Sequence, residues 1–262
     1  MNWTPLSKRK HADLGVTRNR NYTIFRDSPL VHICAFELQN AAASVPLVFA
    51  NDNGSIRFVG VLGLKPAENL FVDASGNWKL DFMPAKFQVY PFRLAQFDDG
   101  NVALLFLEGN NVLVNEGERD NLFSENGEQS DILRYYINLL ANVAKSDVIV
   151  SDACKLLNEF GLLEPFNILP RPERNVEKPE LGAILKLNVP NFEKLSDNQF
   201  LKLRSTRALD IIFAHLFSLR RFSTLYKLVS LAEENEVALK DLGQKIFENE
   251  FTNLNFDFEK LE

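Results

Sequence analysis

Three short segments rich in Asn, Asp and Gly interrupt the first half of the chain, and each lies between two apolar runs. The segments are NDNGS, DASGN and DDGN, and the runs they separate are 45–50 with 56–64, 70–72 with 78–82, and 92–97 with 102–107. Asn, Asp and Gly adopt the positive φ angles of tight hairpin turns at little cost. Three such hairpins within about sixty residues predict a mostly antiparallel sheet.

A helix is predicted to precede these hairpins. Residues 35–43, AFELQNAAA, have good helix propensity, and Pro46 is expected to end the helix because proline lacks the N–H that a helix interior needs.

The hydrophobic pattern becomes helical after residue 128. Apolar residues recur at intervals of three and four between Ile132 and Ala144, and Ser130 is placed to cap this helix. The β-branched segment DVIV, 147–150, predicts a break or kink, with a helix starting again at Ser151 and ending at Gly161.

Further along, residues 165–180 contain four prolines and predict a loop or a poorly paired hairpin before a strand at 183–187. Ser196 and Gln199 have the spacing of a capping box, which opens two apolar-striped helices joined near 219–221.

These patterns predict an α+β protein. An N-terminal, mostly antiparallel β-rich half, 1–128, is expected to pack against a C-terminal helical half, 129–232, which contains a short β-hairpin. An acidic C-terminal tail, 233–262, follows.

The tail differs in composition from the helices before it. It carries nine acidic residues and three lysines, whereas residues 194–230 carry seven basic and two acidic residues. Apolar side chains are spaced through the tail at Phe251, Leu254, Phe256 and Phe258. The tail therefore either folds back onto the basic helices or docks into a partner protein, and the sequence leaves both possibilities open.

Composition argues against several classes of function. The formal net charge is −6, which disfavours nucleic-acid binding because that binding draws on Lys and Arg to neutralise phosphates. No apolar run approaches the roughly 20 residues that cross a bilayer, and no apolar segment of signal-peptide type follows the basic start. Two cysteines are too few for a disulfide framework or a zinc site. We therefore expect a cytoplasmic protein that does not insert into membranes.

The sequence lacks the common catalytic and phosphate-binding motifs. GxGxxG, GxxxxGK[ST], GxSxG and HExxH are all missing from it. His11 and Asp13 with the distant His215 have the residue types of a two-His, one-carboxylate iron site. The context disfavours that site, because His11 precedes every predicted strand and His215 lies in the apolar helix FAHLF. No metal, cofactor or catalytic residue is predicted.

Two alternatives concern charged side chains. Glu68 or Asp73 could act as a general acid or base in an enzyme of unrecognised type, although acids near turns usually bond to the backbone. A basic surface is expected on the last helices and could contact nucleic acid in a nucleic-acid-binding or regulatory role, although the acidic tail offers it a partner within the same chain. Its residues are Lys202, Arg204, Arg207, Arg220 and Arg221.

Several long segments resemble the bacterial SapC family in the family's usual order. They include LGLKPAENLFVDASGNW (62–78), MPAKFQVYPF (83–92) and LSDNQFLKLRSTRALDIIFAHLFSL (195–219), and the likeness extends from about residue 11 to residue 230. The resemblance implies an accessory role, linked by the family's name to surface-layer assembly and export. It also implies handling of a peptide, surface protein or imported ligand. It supplies no catalytic residue and no cofactor.

The residues around DASGN mix polar groups with large aromatic side chains and predict a ligand-binding or peptide-binding groove. The predicted ligand-binding residues are Glu68, Asn69, Asp73, Trp78, Tyr90 and Phe92. The alternative is a turn held by side-chain bonds over a small aromatic core. We expect a non-enzymatic binding protein with a protein or peptide partner and no nucleic acid.

Overall fold

The computed structural model describes residues 2–96, 100–168, 181–232 and 234. The strands are β1 (Trp3–Pro5), β2 (Gly15–Thr17), β3 (Leu30–His32), β4 (Leu47–Asp52), β5 (Ser55–Val61), β6 (Phe92–Gln96), β7 (Val102–Leu107), β8 (Leu113–Val114), β9 (Arg119–Asn121), β10 (Leu163–Pro165) and β11 (Ala183–Leu187). The helices are α1 (Leu38–Ser44), α2 (Ala85–Gln88), α3 (Asp131–Glu159), α4 (Val189–Glu193), α5 (Asp197–Ser205) and α6 (Ala208–Ser218). Leu219–Arg221 form a 3₁₀ turn, and residues 222–232 are helical.

The described strands form three antiparallel sheets. Their orders are β1-β7-β6, β10-β11-β4-β5-β3 and β8-β2-β9. The β-rich first part and the helical second part confirm the predicted α+β class. The five-stranded sheet contains strands from both parts, because β11 pairs with β4. The division at residue 128 stays a prediction.

Two of the three predicted hairpins form as expected. β4 and β5 pair from Leu47↔Gly60 to Asp52↔Ser55, and the two loop residues Asn53 and Gly54 have φ angles of 50° and 90°. β6 pairs with β7, with the turn between them partly outside the described residues. The positive φ angles of Asn53 and Gly54 are typical of the tight hairpin turns in which the sequence NG is common.

The third predicted hairpin, around DASGN, is reduced to one isolated bridge between Val72 and Trp78. The Trp78 indole N–H donates to the Phe82 carbonyl at 2.9 Å. This bond closes a local turn within residues 78–82, the predicted second strand of the hairpin, so these residues do not form a strand.

The predicted break at 147–150 is wrong, because α3 is continuous through this segment. Ser130 caps its start by accepting from the Leu133 N–H. Val150 is buried, and α3 packs against β5 and α6. Burial of Val150, with Ile149 partly buried beside it, outweighs the modest helix propensity of these β-branched residues, although Val148 is exposed.

The helix predicted to run from the capping box into the apolar stripe 209–217 is divided in the structure, because α5 ends at Ser205 and Arg207 lies in the left-handed region before α6. Other helix limits follow the sequence patterns. α1 ends at Ser44, two residues before Pro46, and the capping box of Ser196 and Gln199 opens α5. The 3₁₀ turn Leu219–Arg221 separates α6 from the helical residues 222–232, as predicted. The tail beyond 232 lies outside the described residues except for Glu234.

The core has two parts that meet along α3. The larger part joins the five-stranded sheet to α6, the helical residues 222–229 and the second half of α3. The smaller part joins β6 and β7 to the first half of α3. No helix in the described part of the chain has both the length and the apolar composition that crossing a bilayer demands.

Candidate functional site

The polar residues predicted to bind a ligand bond to their own backbone surroundings. One Glu68 carboxylate oxygen accepts from the Leu64 and Lys65 N–H groups at 2.8 and 3.2 Å. Asp73 accepts from the Asn77 N–H at 2.8 Å and from its side-chain amide at 3.0 Å. These bonds lower the pKa of Asp73.

Asn69 is 95% buried, with a relative exposure of 5%, and it bridges two segments of chain. Its side-chain N–H donates to the Phe25 carbonyl at 2.9 Å, and its oxygen accepts from the Phe71 N–H at 3.0 Å. Asn69 therefore holds the DASGN loop against the 3₁₀ turn Thr23–Phe25.

The predicted aromatic residues divide between the two parts of the core. Trp78 packs edge-on against Phe87, with ring centroids 5.8 Å apart, and Tyr90 packs edge-on against Phe25 at 5.6 Å. Phe92 lies in the smaller core part. Phe25 and Phe87 stack on each other with ring centroids 3.9 Å apart, so Trp78, Tyr90 and Asn69 all contact this one ring pair or its backbone, whereas Phe92 lies apart from it. The role of the six residues in binding stays a prediction.

His11, Asp13 and His215, the residues considered for an iron site, lie in different surroundings. The His11 ring accepts from the Ser7 N–H and packs edge-on against Phe106, while Asp13 is exposed. His215 is fully buried in the other core part, and both of its ring nitrogens have backbone partners. Within the described residues no three His, Cys, Asp or Glu side chains come together as a metal-binding set.

A groove of about 780 Å³ lies between α1 and α6, and we call it the α1–α6 groove. Its floor consists of small or buried apolar side chains, mainly Ala35, Leu38, Ala42 and Ala214. The small alanine side chains leave room for apolar groups from outside. None of the six predicted ligand-binding residues lines this groove.

Large aromatic side chains stand at the sides of the groove in contact with solvent. Phe36 is 50% exposed and Phe217 is 70% exposed. Phe217 also stacks near Phe213, itself 43% exposed, with ring centroids 6.2 Å apart. Large apolar side chains clustered on a surface mark interaction sites more often than isolated ones do.

Three arginines line the same groove: Arg207, Arg220 and Arg221. The Arg207 side chain donates from Nε to Asp210 at 2.9 Å. Arg220 and Arg221 form no ion pair within the part of the chain that the structure describes. The buried Nε of Arg221 has no hydrogen-bond partner among these residues. Such a donor is costly unless an acceptor reaches it.

Arg207 has an unusual backbone. Its φ of 61° places it in the left-handed region, directly before α6. A side chain other than Gly, Asn or Asp costs about 1 kcal/mol or more there, and such strained residues cluster at functional sites. Glycine would adopt this backbone conformation with less strain, yet the residue here is an arginine whose charged side chain lines the groove.

A second cleft of about 490 Å³ lies across α1 from the groove and shares Phe36 and Ala43 with it. This second cleft is more polar, and its lining includes Asn40, Asp81 and Gln88. Because two residues are common to both, the exposed Phe36 stands where an extended segment could pass from one cleft to the other.

Beneath this cleft, Glu37 holds two elements together. Its carboxylate oxygens accept from the Cys34 and Ala85 N–H groups, each at 2.8 Å. Burial raises the pKa of Glu37, while the two backbone donors oppose that change. Glu37 therefore joins the start of α1 to the start of α2.

Sequence reasoning missed the groove residues for two reasons. Residues 35–43 predicted a helix, but the alanines gave no indication of which surface they leave open. The basic residues Arg207, Arg220 and Arg221 were recognised, whereas the exposure of Phe36 and Phe217 depends on packing. One signal was present: Phe213 and Phe217 extend the apolar surface of α6 beyond the stripe that the core needs.

Comparison with known protein families gives a match over most of the chain. The family model described as SapC matches residues 6–225. A search of curated proteins and a search of solved structures found no match for the chain.

Proposed function

The chain belongs to the SapC family, and from that premise we propose that it is a binding protein whose α1–α6 groove holds a protein segment that is both apolar and acidic. The proposal extends the accessory role that the family resemblance implies, in which a peptide or surface protein is handled without covalent chemistry.

One observation carries the proposal: the same groove is lined by exposed aromatic side chains and by two arginines, Arg220 and Arg221, that form no ion pair with any residue the structure describes. Phe36 and Phe217 offer apolar contact area, and Arg220 and Arg221 offer charge-assisted hydrogen bonds to carboxylates. Aromatic residues and Arg are the types that dominate the energies of protein interfaces.

The enzyme alternative has less support. It requires Glu68 or Asp73 to face a reacting group, whereas their carboxylate oxygens accept from nearby backbone N–H groups. The bonds to Asp73 favour its charged form. They occupy both Asp73 oxygens, and the backbone occupies one oxygen of Glu68, so these atoms are less open to a reacting group.

Fluorescence anisotropy with designed peptides tests the proposed function. The probe is a short fluorescein-labelled peptide that alternates Phe with Glu, and the comparison peptides replace every Phe by Ser or every Glu by Lys. We expect the full chain to bind the Phe/Glu peptide and to bind both comparison peptides at least about tenfold more weakly.

Substitutions in the groove assign the binding to its residues. Phe217→Ser and Arg220→Glu are each expected to weaken binding at least about tenfold. Val148→Ser and Arg134→Glu are the matched controls, because Val148 is 61% exposed and both residues lie on α3 outside the groove lining. Equal losses in the groove variants and the controls would contradict the proposal, as would equal binding of all three peptides.

Arg207→Gly separates binding from folding. Glycine accepts the left-handed backbone, so this variant is expected to keep or raise the free energy of unfolding while it weakens peptide binding. If the variant folds well and binds the peptide as tightly as the wild type, Arg207 does not take part in binding.

A further inference from the structure

The charges and apolar residues of the tail complement the α1–α6 groove. The groove has three arginines and one acidic residue, Asp210, in its lining. The tail 233–262 has nine acidic residues and three lysines, and Phe251, Phe256 and Phe258 are spaced among its polar residues. Within the tail, the sequence FDFE places Phe and a carboxylate side by side twice in succession.

We propose that the tail of this chain occupies the α1–α6 groove of the same molecule and so competes with a partner segment. Its phenylalanine rings pack on the alanine floor beside Phe217, and its carboxylates accept from Arg220 and Arg221. The inference rests on the proposed function only where it speaks of competition. Occupation of the groove by the tail is tested separately.

The path of the chain allows this return. Arg221 lines the groove, and the helical residues 222–232 lead directly from it to the tail. A helix of this length is about 16 Å long at 1.5 Å per residue. The tail could span several times that distance, since an extended residue covers about 3.3 Å. Attachment to the same chain also raises the local concentration of the tail at the groove, commonly to the millimolar range.

Disulfide trapping tests where the tail lies. Phe217→Cys is combined in turn with Phe251→Cys, Phe256→Cys and Phe258→Cys in the full chain, and glutathione disulfide serves as the oxidant, accepting the two electrons and becoming two molecules of glutathione. The native Cys34 and Cys154 are buried, and burial raises the pKa of each thiol to about 12, so they do not compete. At least one pair is expected to form an intrachain disulfide.

Val148→Cys with the same tail cysteines is the matched control, because Val148 is as open to solvent as Phe217 but does not line the groove. The groove pair is expected to close at least about tenfold faster than the control pair, and added salt is expected to slow it. Equal rates for both pairs, or no disulfide at all, would overturn the inference. Disulfides formed only between two molecules would overturn it in favour of a second copy.

Peptide binding then tests the competition. A full chain carrying Phe251→Ser, Phe256→Ser and Phe258→Ser is expected to bind the labelled Phe/Glu peptide about tenfold more tightly than the wild type. Unchanged affinity would overturn the competition. If the tail is trapped at the groove but neither the wild type nor the tail variant binds the peptide, the tail contact stands and the proposed function is rejected. If the peptide binds but no tail disulfide forms, the proposed function stands and the tail contact is rejected.

Discussion

At the scale of single residues, His215 and Arg221 show two different outcomes for a buried polar side chain. His215 accepts from the Leu187 N–H through Nε2 at 3.2 Å, and its Nδ1–H donates to the Leu47 carbonyl at 2.7 Å. One imidazole thereby connects β11 and β4 to α6, and Ser218 adds a hydroxyl that accepts from the Leu47 N–H at 2.8 Å. Arg221 has a buried donor without such a partner among the described residues, so His215 supports the fold, whereas Arg221 is one of the residues of the proposed binding groove.

The neutral state of His215 predicts a loss of stability in acid. Burial lowers its pKa to about 4, below the ordinary 6.5 of the unfolded chain. The unfolded chain therefore binds more protons between these values, so the free energy of unfolding falls as the pH falls through 6.5 towards 4. The histidine alone accounts for about 2.5 kcal/mol between pH 8 and pH 4.5.

Urea unfolding of the wild type and of His215→Asn at several pH values checks this prediction. The variant is expected to be less stable by about 2 kcal/mol at pH 8, because two backbone groups lose their partners. That deficit should shrink as the pH is lowered. Parallel pH profiles for the two proteins would show that His215 does not titrate as expected.

At the scale of elements, the surroundings of each segment decide what its sequence becomes. α3 runs through DVIV because Val150 is buried and Ile149 is partly buried in the larger core part, although Val148 is exposed. The DASGN arms stop after one bridge because Trp78 and Asp73 bond locally. α1 has few residues and is held at its start by Glu37. Glu37 therefore fixes the start of this groove wall, while Leu38 and Ala41 hold the helix in the larger core part.

Removal of Glu37 is predicted to destabilise the protein. Glu37→Ala leaves the N–H groups of Cys34 and Ala85 without their acceptors, and we expect a loss of about 3 kcal/mol in the free energy of unfolding. Glu37→Gln keeps one acceptor and should lose about half as much. Gln39→Ala on the exposed side of α1 is the control, with an expected change within about 0.5 kcal/mol. Equal losses for Glu37→Ala and Gln39→Ala in urea unfolding would contradict the role of Glu37.

At the scale of the whole molecule, the β-rich and helical parts are joined through one sheet and one core. β11 pairs with β4, and the second half of α3 packs against strands of the first part. His215 adds a bond from α6 to each of the two paired strands. These shared contacts mean that either part would expose a large apolar surface without the other.

We predict that the two parts unfold together. Both tryptophans, Trp3 and Trp78, lie in the β-rich part, so their fluorescence reports on that part, whereas the helical circular dichroism signal comes mainly from the second part. The two signals are expected to give coincident urea transitions. Separate midpoints would instead show two units that fold independently.

The sequence by itself determined the elements that rest on local chemistry. The NG turn between β4 and β5, the Ser130 cap, the Ser196–Gln199 capping box and the 3₁₀ turn before 222–232 all follow from contacts between residues close along the chain. The α+β class also follows from such patterns, because hydrophobic periodicity is a local property. The family resemblance rests instead on several long segments that occur in the family's order.

The tertiary structure alone decided which surface is left open. Phe36 and Phe217 lie far apart in the sequence and meet at one groove only because α1 packs against α6. The same packing brings Arg207, Arg220 and Arg221 beside an apolar floor, while it places Trp78 and Phe92 in separate parts of the core. Exposure depends on what every other element covers, and no local pattern contains that information.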